Sequence, residues 1–223
     1  MNYILENLKK LKENITFICE KINRNPSEIK ILPITKGVDI HKVKFVYELG
    51  FREFGENRVK EAIEKVNYLP SDIKWHLVGH LQTNKVKKAL KIFKVIQSID
   101  RFEIIDEIEK NKAKIDIFIE FNCSNEPQKY GFNPENFKEV VERVLKSEYL
   151  NLIGLMTIGP YPVSETKSRK AFEKLRIIKE KIKENFNLDL KLSMGMSEDY
   201  TYAIMEGSDM IRIGSALFSN EII

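Results

Sequence analysis

The 223-residue chain has few cysteines and no long hydrophobic run. Its two cysteines, Cys19 and Cys123, lie far apart and show no paired spacing, which is typical of free thiols in a reducing compartment. No segment approaches the roughly 18 apolar residues of a membrane-spanning helix. Residues 1–15 also lack the unbroken apolar core of a signal peptide. We therefore expect a cytoplasmic protein with no membrane partner.

A strong charge of one sign is absent as well. The 37 basic and 33 acidic side chains give a formal net charge of +4. The lysine-rich segments 85–94 and 179–186 carry apolar residues at helical spacing, which is typical of solvated helix faces. Nucleic-acid binding favours a clustered basic face with interleaved aromatic residues. The composition thus argues against a nucleic-acid partner.

The chain also lacks a glycine-rich G-x-G-x-x-G after any apolar run, which weighs against a dinucleotide-binding fold. What it contains is a regular alternation of short apolar runs and helical patterns. An amphipathic helix is predicted over residues 1–22, and we expect it to cover the bottom of the domain. Eight strands are predicted after it: 30–35, 52–55, 74–79, 94–99, 114–122, 151–157, 188–194 and 210–214.

Eight strands with intervening helices indicate a parallel sheet, and eight in a chain of this length favour closure into a barrel. The predicted fold class is α/β, a single TIM-type (β/α)8 barrel with an extra N-terminal helix, forming one domain over residues 1–223. A doubly wound open sheet is the alternative. Active sites of such barrels lie at the carboxyl ends of the strands, so the residues that follow each strand are the candidates for function.

Lys36 directly follows the first predicted strand. Most lysines at turns are solvated, but a lysine that faces the mouth of a barrel is partly desolvated, and desolvation favours the neutral form of an amine. A neutral amine condenses with an aldehyde to give a Schiff base. Lys36 is therefore a candidate to hold an aldehyde.

Two turns of small residues follow the last two predicted strands. Gly195 and Ser197 follow the seventh strand, and Gly214 and Ser215 follow the eighth. Barrels often bind phosphate after strands seven and eight, through backbone N–H groups. The alternative is that these glycines only turn the chain.

The helix predicted after the seventh strand covers residues 198–206 and ends at Gly207, with Ser197 as its N-cap. Its first residues, Glu198 and Asp199, suit the positive end of a helix dipole in either interpretation. They would repel a phosphate that they faced.

Arg212 and Asn57 each have two interpretations. A charge in the middle of an apolar strand needs a partner. For Arg212 this is either a carboxylate such as Glu120 or the ring nitrogen or oxyanion of a ligand. Asn57 either caps the following helix at Val59 or Lys60, or donates to a ligand at the barrel mouth.

His76 and His80 have the four-residue spacing that binds metal on a helix. Here the first lies on a predicted strand and the second in a turn, with no third ligand nearby. We expect no metal, and we expect His76 to be a hydrogen-bonded interior histidine.

These stretches together resemble the pyridoxal phosphate homeostasis proteins, single-domain relatives of the alanine racemase barrel. The matching segments, in order, are ITK at 34–36, FGENRVKEA at 54–62, WHLVGHLQTNK at 75–85, NCSNEPQKYG at 122–131, GLMTI at 154–158 and LSMGMSEDYTYAIMEGSDMIRIGSALF at 192–218. Each is weak alone, and the ordered set is highly specific.

The resemblance implies that pyridoxal 5′-phosphate (PLP) is the cofactor and that Lys36 holds it as a Schiff base. It places Arg212 against the pyridine nitrogen, which disfavours protonation of that nitrogen and weakens the ring as an electron sink. The implied cofactor-binding residues are Lys36, Asn57, Ser193, Gly195, Ser197, Arg212, Gly214 and Ser215. Where the family usually reads K-T-K-P, this chain has T-K-G-V, and Gly37 predicts a looser turn at the lysine.

Racemisation needs two bases, one on each face of the substrate carbon. In alanine racemases the second base is a tyrosine from a second domain of the partner subunit, and we expect no such domain here. The sequence places none of Tyr130, Tyr161 and Tyr200 opposite Lys36. We therefore expect a monomeric, non-catalytic protein that holds PLP, buffers its level and delivers it to PLP-dependent apoenzymes.

Two other functions stay open at this point. One is a PLP-dependent amino-acid racemase of low activity, and the other is a barrel that acts on sugar phosphates without PLP. Lys129 is either a surface lysine or a second amine that receives the aldehyde during transfer.

Overall fold

The computed structural model describes residues 1–220 and contains all eight predicted strands. Most observed strands are shorter than predicted, because the apolar runs continue into the loops; the seventh has three residues where seven were expected. The strands are β1 Lys30–Pro33, β2 Glu53–Glu56, β3 Lys74–Leu77, β4 Val95–Ile99, β5 Ile115–Glu120, β6 Leu150–Met156, β7 Lys191–Ser193 and β8 Met210–Ile213.

These strands form one parallel sheet in the order β1-β8-β7-β6-β5-β4-β3-β2. The first and last strands of that order meet at a parallel bridge between Ile34 and Gly55. The backbone N–H of Thr35 donates to the Gly55 carbonyl over 2.9 Å at the same place. The bridge closes the sheet into a barrel, which confirms the predicted fold and excludes the open sheet.

Helices surround the barrel on the outside. They are α1 Asn2–Lys21, α2 Ile40–Glu48, α3 Val59–Val66, α4 Val86–Ala89, α5 Phe102–Lys110, α6 Phe137–Leu145, α7 Glu165–Phe186, α8 Tyr200–Met205 and α9 Ser215–Phe218. Short 3₁₀ turns occupy Pro26–Glu28, Thr83–Lys85 and Pro134–Asn136. Each long helix is amphipathic and packs its apolar face on the strands, so the main core lies between the helices and the sheet.

Helix α1 is confirmed, but it does not cover the bottom of the barrel. It packs against α8 and α9 in the outer layer. The Asn7 side chain donates to the carbonyls of Leu217 and Ser219 over 3.2 and 2.9 Å. Asn14 donates to the hydroxyl of Tyr200 over 2.7 Å. Because α9 has only four residues, this long helix supplies the apolar cover that a short last helix leaves incomplete.

The inside of the barrel has an apolar cluster and several buried polar side chains. The apolar cluster is formed by Leu32, Val78, Val95, Phe118, Met156 and Met210. The buried polar residues include His76, Gln97, Ser193 and Arg212. Buried polar groups need hydrogen-bond partners, so the interior is ordered by specific contacts as well as by packing. Within residues 1–220, no helix has the length and apolar content that crossing a membrane requires.

Candidate functional site

A cavity of about 420 Å³ opens at the carboxyl ends of the strands. Six of the eight predicted cofactor-binding residues line it: Lys36, Asn57, Ser197, Arg212, Gly214 and Ser215. Ile34, Val78 and Ile158 supply apolar wall. A larger cavity of about 830 Å³ lies at the opposite end of the barrel and contains none of the predicted residues. The chemistry-bearing side chains therefore converge on the smaller cavity.

Lys36 lies in a tight turn at the rim of this cavity. The N–H of Val38 donates to the Thr35 carbonyl over 2.9 Å and closes the turn. Gly37 adopts φ +66°, a left-handed conformation that glycine reaches without strain. The expectation of a looser turn is therefore wrong, because glycine is the residue that this turn requires. The Lys36 side chain is exposed. The protein alone therefore does not desolvate this amine, contrary to the expectation.

A buried polar cluster anchors the residue before Lys36. The Thr35 hydroxyl donates to Glu56 Oε1 over 2.6 Å, and Glu56 is fully buried. The ammonium of Lys65 donates both to Glu56 and to the Thr35 carbonyl. Sequence reasoning missed this cluster. The one available signal is Glu56 itself, a charged residue directly after the predicted strand 52–55.

The turns after β7 and β8 face the cavity together. Among hydrogen bonds within residues 1–220, the backbone N–H groups of Ser197, Gly214 and Ser215 donate to no acceptor. The Ser197 hydroxyl accepts from the N–H of Ala216 over 3.2 Å and joins the two turns. Free N–H groups and hydroxyls form a donor set that suits a phosphate.

The predicted cap of the following helix is wrong. Helix α8 begins at Tyr200 with Asp199 as its N-cap, and Ser197 lies in the turn before it. The end of the helix is as predicted, since Gly207 follows it with φ +92°. Ser197 is free of a capping role because its oxygen binds Ala216 instead.

Asp199 is buried and lines the cavity. Its Oδ1 accepts from the N–H of Met196 over 2.6 Å, which holds the 196–199 turn. Its Oδ2 lies against Gly159, where an added Cβ would come within 2.2 Å of this oxygen. Burial raises the pKa of Asp199, opposed by the Met196 hydrogen bond and by Arg212. Repulsion of a phosphate is thereby reduced.

Arg212 is buried and reaches the cavity from β8. Its guanidinium donates to the Thr157 carbonyl over 2.8 Å, the Ser193 carbonyl over 2.7 Å and the Ser193 hydroxyl over 2.9 Å. Burial lowers the pKa of Arg212 to about 10, opposed by Asp199 and Glu120, so it stays a cation at neutral pH.

The predicted pairing of Arg212 with Glu120 is not a direct contact, because backbone carbonyls take its donors. Glu120 acts on Arg212 only when it is ionised, through its charge. Burial, and then the charge of Asp100, raise the pKa of Glu120 to about 8, while Arg212 lowers it. At neutral pH most of this carboxyl is protonated.

Ser193 and Gly195 do not line the cavity, although both were predicted as cofactor-binding. Ser193 lies behind Arg212, and its hydroxyl donates to Gln97 over 2.6 Å. The Gly195 carbonyl accepts from the N–H of Arg212 over 2.9 Å. An added Cβ at Gly195 would approach Ala203 within 2.5 Å, so glycine is required there for packing. Both residues support the site from behind.

Asn57 lines the cavity and is not the cap of α3. Helix α3 begins after Arg58, which has no side-chain cap contact. The backbone N–H of Asn57 donates to Glu56 Oε2 over 3.2 Å, which ties Asn57 to the buried cluster behind Lys36. Its side chain is left to face the cavity.

The two histidines are engaged separately. His76 contacts Glu53 over 2.9 Å and Gln97 over 2.9 Å, as expected of an interior histidine. His80 contacts Asp100 over 2.6 Å.

Two further side chains line the cavity with Lys36. Lys129 donates to the Gly159 carbonyl and forms an ion pair with Glu126. Tyr161 lies at the rim and is 78% exposed. Of the other tyrosines, Tyr130 stacks on His80 at 3.7 Å between ring centroids, and the hydroxyl of Tyr200 is bound by Asn14. The structure thus brings a second lysine and one tyrosine to the cavity.

Comparison with known proteins shows the family of this chain. The sequence model described as "Alanine racemase, N-terminal domain" matches residues 7–221. The pyridoxal phosphate homeostasis protein of Aquifex aeolicus is 39% identical over 219 residues, covering 96% of each chain. Its counterpart in Haemophilus influenzae is 35% identical, covering 96% of this chain and 94% of the relative. The chain belongs to the pyridoxal phosphate homeostasis protein family.

The fold of this chain is also similar to the folds of solved structures. PipY of Synechococcus elongatus, described with PLP bound, superposes with a TM-score of 0.82 at 28% identity, covering 97% of this chain and all of PipY. An alanine racemase of Clostridium difficile superposes with a TM-score of 0.73 at 18% identity, over 57% of its own length. The racemase likeness shows the shared barrel fold.

Proposed function

We propose that this chain binds pyridoxal 5′-phosphate at the cavity of Lys36, holds it as a Schiff base, and buffers and delivers it without robust catalysis. The observation that supports the proposal is the convergence of Lys36, Arg212 and the two N–H-rich turns on one cavity. The family relatives add that PipY is described with PLP bound.

The donor set fits each part of the cofactor. An aldehyde matches the exposed amine of Lys36, and a phosphate matches the free donors of Ser197, Gly214 and Ser215. Arg212 is a cation that donates hydrogen bonds and cannot accept them, so it suits an unprotonated ring nitrogen. Bound PLP supplies an electrophilic carbonyl and an electron-accepting ring.

Arg212 also favours storage over catalysis. Most PLP enzymes use a protonated ring nitrogen as electron sink. A buried arginine that is a cation near neutral pH disfavours that proton through charge repulsion. The site therefore binds the cofactor while weakening its power to stabilise a substrate carbanion.

The second candidate function is an amino-acid racemase of low activity. The observation that favours it is Tyr161, which lines the same cavity as Lys36 and could act as a second base. Its high exposure argues against it, since a catalytic tyrosine needs a lowered pKa and exclusion of water. A steady conversion of L- to D-alanine that is lost in both Lys36→Ala and Tyr161→Phe would establish this function.

The proposal is tested by titrating the purified protein with PLP and following its visible absorption. We expect the wild type to turn yellow at saturation and Lys36→Ala to lose the visible band. Lys44→Ala, a change of an exposed lysine on α2 outside the cavity, is the control and should behave like wild type. A wild-type protein that is colourless once unbound PLP, which is itself yellow, has been removed would contradict the proposal and favour a barrel that acts on sugar phosphates without PLP.

We also propose that the protein is a cytoplasmic monomer. Exposed apolar side chains such as Leu5, Leu145 and Ile177 lie on different helices, α1, α6 and α7. Scattered apolar residues are normal on monomer surfaces. Sedimentation analysis at micromolar concentration should give a mass near 26.1 kDa, and a mass twice as large would contradict the monomer.

A further inference from the structure

Five buried or half-buried side chains form one continuous hydrogen-bonded chain through the barrel. Glu53 Oε2 lies 2.9 Å from His76 Nε2, and His76 Nδ1 lies 2.9 Å from Gln97 Nε2. Gln97 Oε1 lies 2.6 Å from the Ser193 hydroxyl, which lies 2.9 Å from Arg212 Nη1. The five residues come from five different strands. The chain runs from the amino end of β2 to the cavity of Lys36.

All hydrogen bonds of this chain are donated in one direction, towards Glu53. Burial favours neutral Glu53, but hydrogen bonds from His76 and Lys30 outweigh it and lower the pKa of Glu53 to about 2, so the carboxylate accepts from His76 Nε2. Burial lowers the pKa of His76, with help from Lys74 and Lys30 and against Glu53, so the ring is neutral. A neutral imidazole with its proton on Nε2 has an accepting Nδ1.

The tautomer of His76 decides which groups donate and which accept in the remaining contacts. The amide N–H₂ of Gln97 must face His76, so its carbonyl oxygen must face Ser193. The Ser193 hydroxyl then donates to Gln97 and leaves its lone pairs for Arg212. The second amide proton of Gln97 points to the sulfur of Met210 at 3.2 Å. Every group along the chain has a partner of the correct type.

We infer that Gln97 and His76 are positioning residues for Arg212. Neither lines the cavity, yet they fix which way the Ser193 hydroxyl points and so keep an acceptor available to the guanidinium. Buried polar networks in which every member is satisfied hold their side chains rigidly. The inference rests on the proposed function for the role of Arg212 towards PLP. The hydrogen-bonded chain of five side chains is present in the protein without cofactor.

The first test needs no variant and no PLP. Nitrogen-15 NMR of the full chain near pH 7 should show His76 with an unprotonated Nδ1 and a protonated Nε2. A proton on Nδ1 would overturn the inference, because Gln97 could then not present its oxygen to Ser193.

The second test compares a variant at Gln97 with a control variant. Gln97→Met has similar length but no amide, so the exchange of the Arg212 guanidinium protons with solvent should accelerate. PLP should bind about three- to tenfold more weakly, the effect of roughly one net hydrogen bond. Met156→Leu, an apolar change inside the barrel that removes no hydrogen-bond partner from the chain, should alter neither readout.

Equal exchange rates in Gln97→Met and Met156→Leu would overturn the inference. If the wild-type protein does not bind PLP at all, the proposed function fails, and the exchange and tautomer measurements on the cofactor-free protein still decide whether the chain positions Arg212.

Discussion

The hydroxyl of Thr35 donates to the carboxylate of Glu56 over 2.6 Å in a fully buried contact, one residue before Lys36. Lys65 joins the pair by donating to both residues. The contact ties the end of β1 to the end of β2 beside the bridge that closes the barrel. The contact that anchors Lys36 and the closure of the barrel are therefore one structural feature.

Thr35→Val should weaken both stability and the site. Valine has the same shape but no hydroxyl, so Glu56 loses a buried donor, and we expect a loss of about 1–3 kcal/mol in the free energy of unfolding. Urea unfolding measures this. Thr16→Val, on the exposed face of α1, is the control and should change stability by less than about 0.5 kcal/mol. Equal effects of the two changes would show that the buried contact is unimportant.

Gly37→Ala should destabilise the turn that holds Lys36. An added Cβ meets no atom within 4 Å, so the effect comes from φ +66° alone. A left-handed conformation disfavours alanine by about 1–2 kcal/mol. We expect a lower midpoint of thermal unfolding and slower formation of the visible PLP band. An unchanged midpoint would mean that the turn is free to change conformation.

Glu120→Gln should raise stability at alkaline pH. The folded-state pKa of about 8 lies above the ordinary value of 4.5, so the folded protein holds the proton more tightly than the unfolded chain. The stabilising contribution of the neutral acid is complete below about pH 4.5 and is lost as the pH rises through 8. Glutamine imitates the neutral acid at every pH.

The pH comparison is made by thermal unfolding at pH 5 and pH 9. We expect the two proteins to melt together at pH 5 and the variant to melt at a higher temperature at pH 9. Glu184→Gln, on the exposed part of α7, serves as the control at both pH values. A variant that is less stable than wild type at pH 9 would mean that Glu120 is ionised and paired in the folded protein.

Lys129 should take part in transfer of the cofactor to an apoenzyme. It lines the cavity of Lys36 as a second primary amine, held by Glu126 and the Gly159 carbonyl. Lys129→Ala should slow transfer while PLP stays bound through Lys36. Lys129→Arg keeps the positive charge for Glu126 but has no nucleophilic amine, so it should also be slow. Transfer at the normal rate in either variant would remove the role of Lys129 as an acceptor amine.

The barrel itself was predictable from the sequence because its strands are buried on both faces and appear as separate apolar runs. The closing bridge between Ile34 and Gly55 was not, since it lies one residue beyond β1 and depends on a contact between distant segments. The ends of the strands were harder to predict for the same reason, because they too depend on contacts between distant segments. Apolar residues such as Leu188 and Leu190 continue before β7 without forming part of the ladder.

Within the site, residue types were predictable and their partners were not. Arg212 was expected to need a partner because it is a charge in an apolar strand, and it has three, of which two are backbone carbonyls that no sequence pattern marks. Ser197 looked like a helix cap because it precedes acidic residues. Its oxygen instead binds Ala216, nineteen positions away, a contact that only the folded barrel creates.

We propose Lys36 as the amine that holds the cofactor. The most direct measurement is borohydride reduction of the PLP-loaded protein followed by peptide mapping by mass spectrometry. We predict a single pyridoxyl group on the peptide that contains Lys36. A pyridoxyl group fixed mainly on Lys129, or no stable adduct after reduction, would contradict the account.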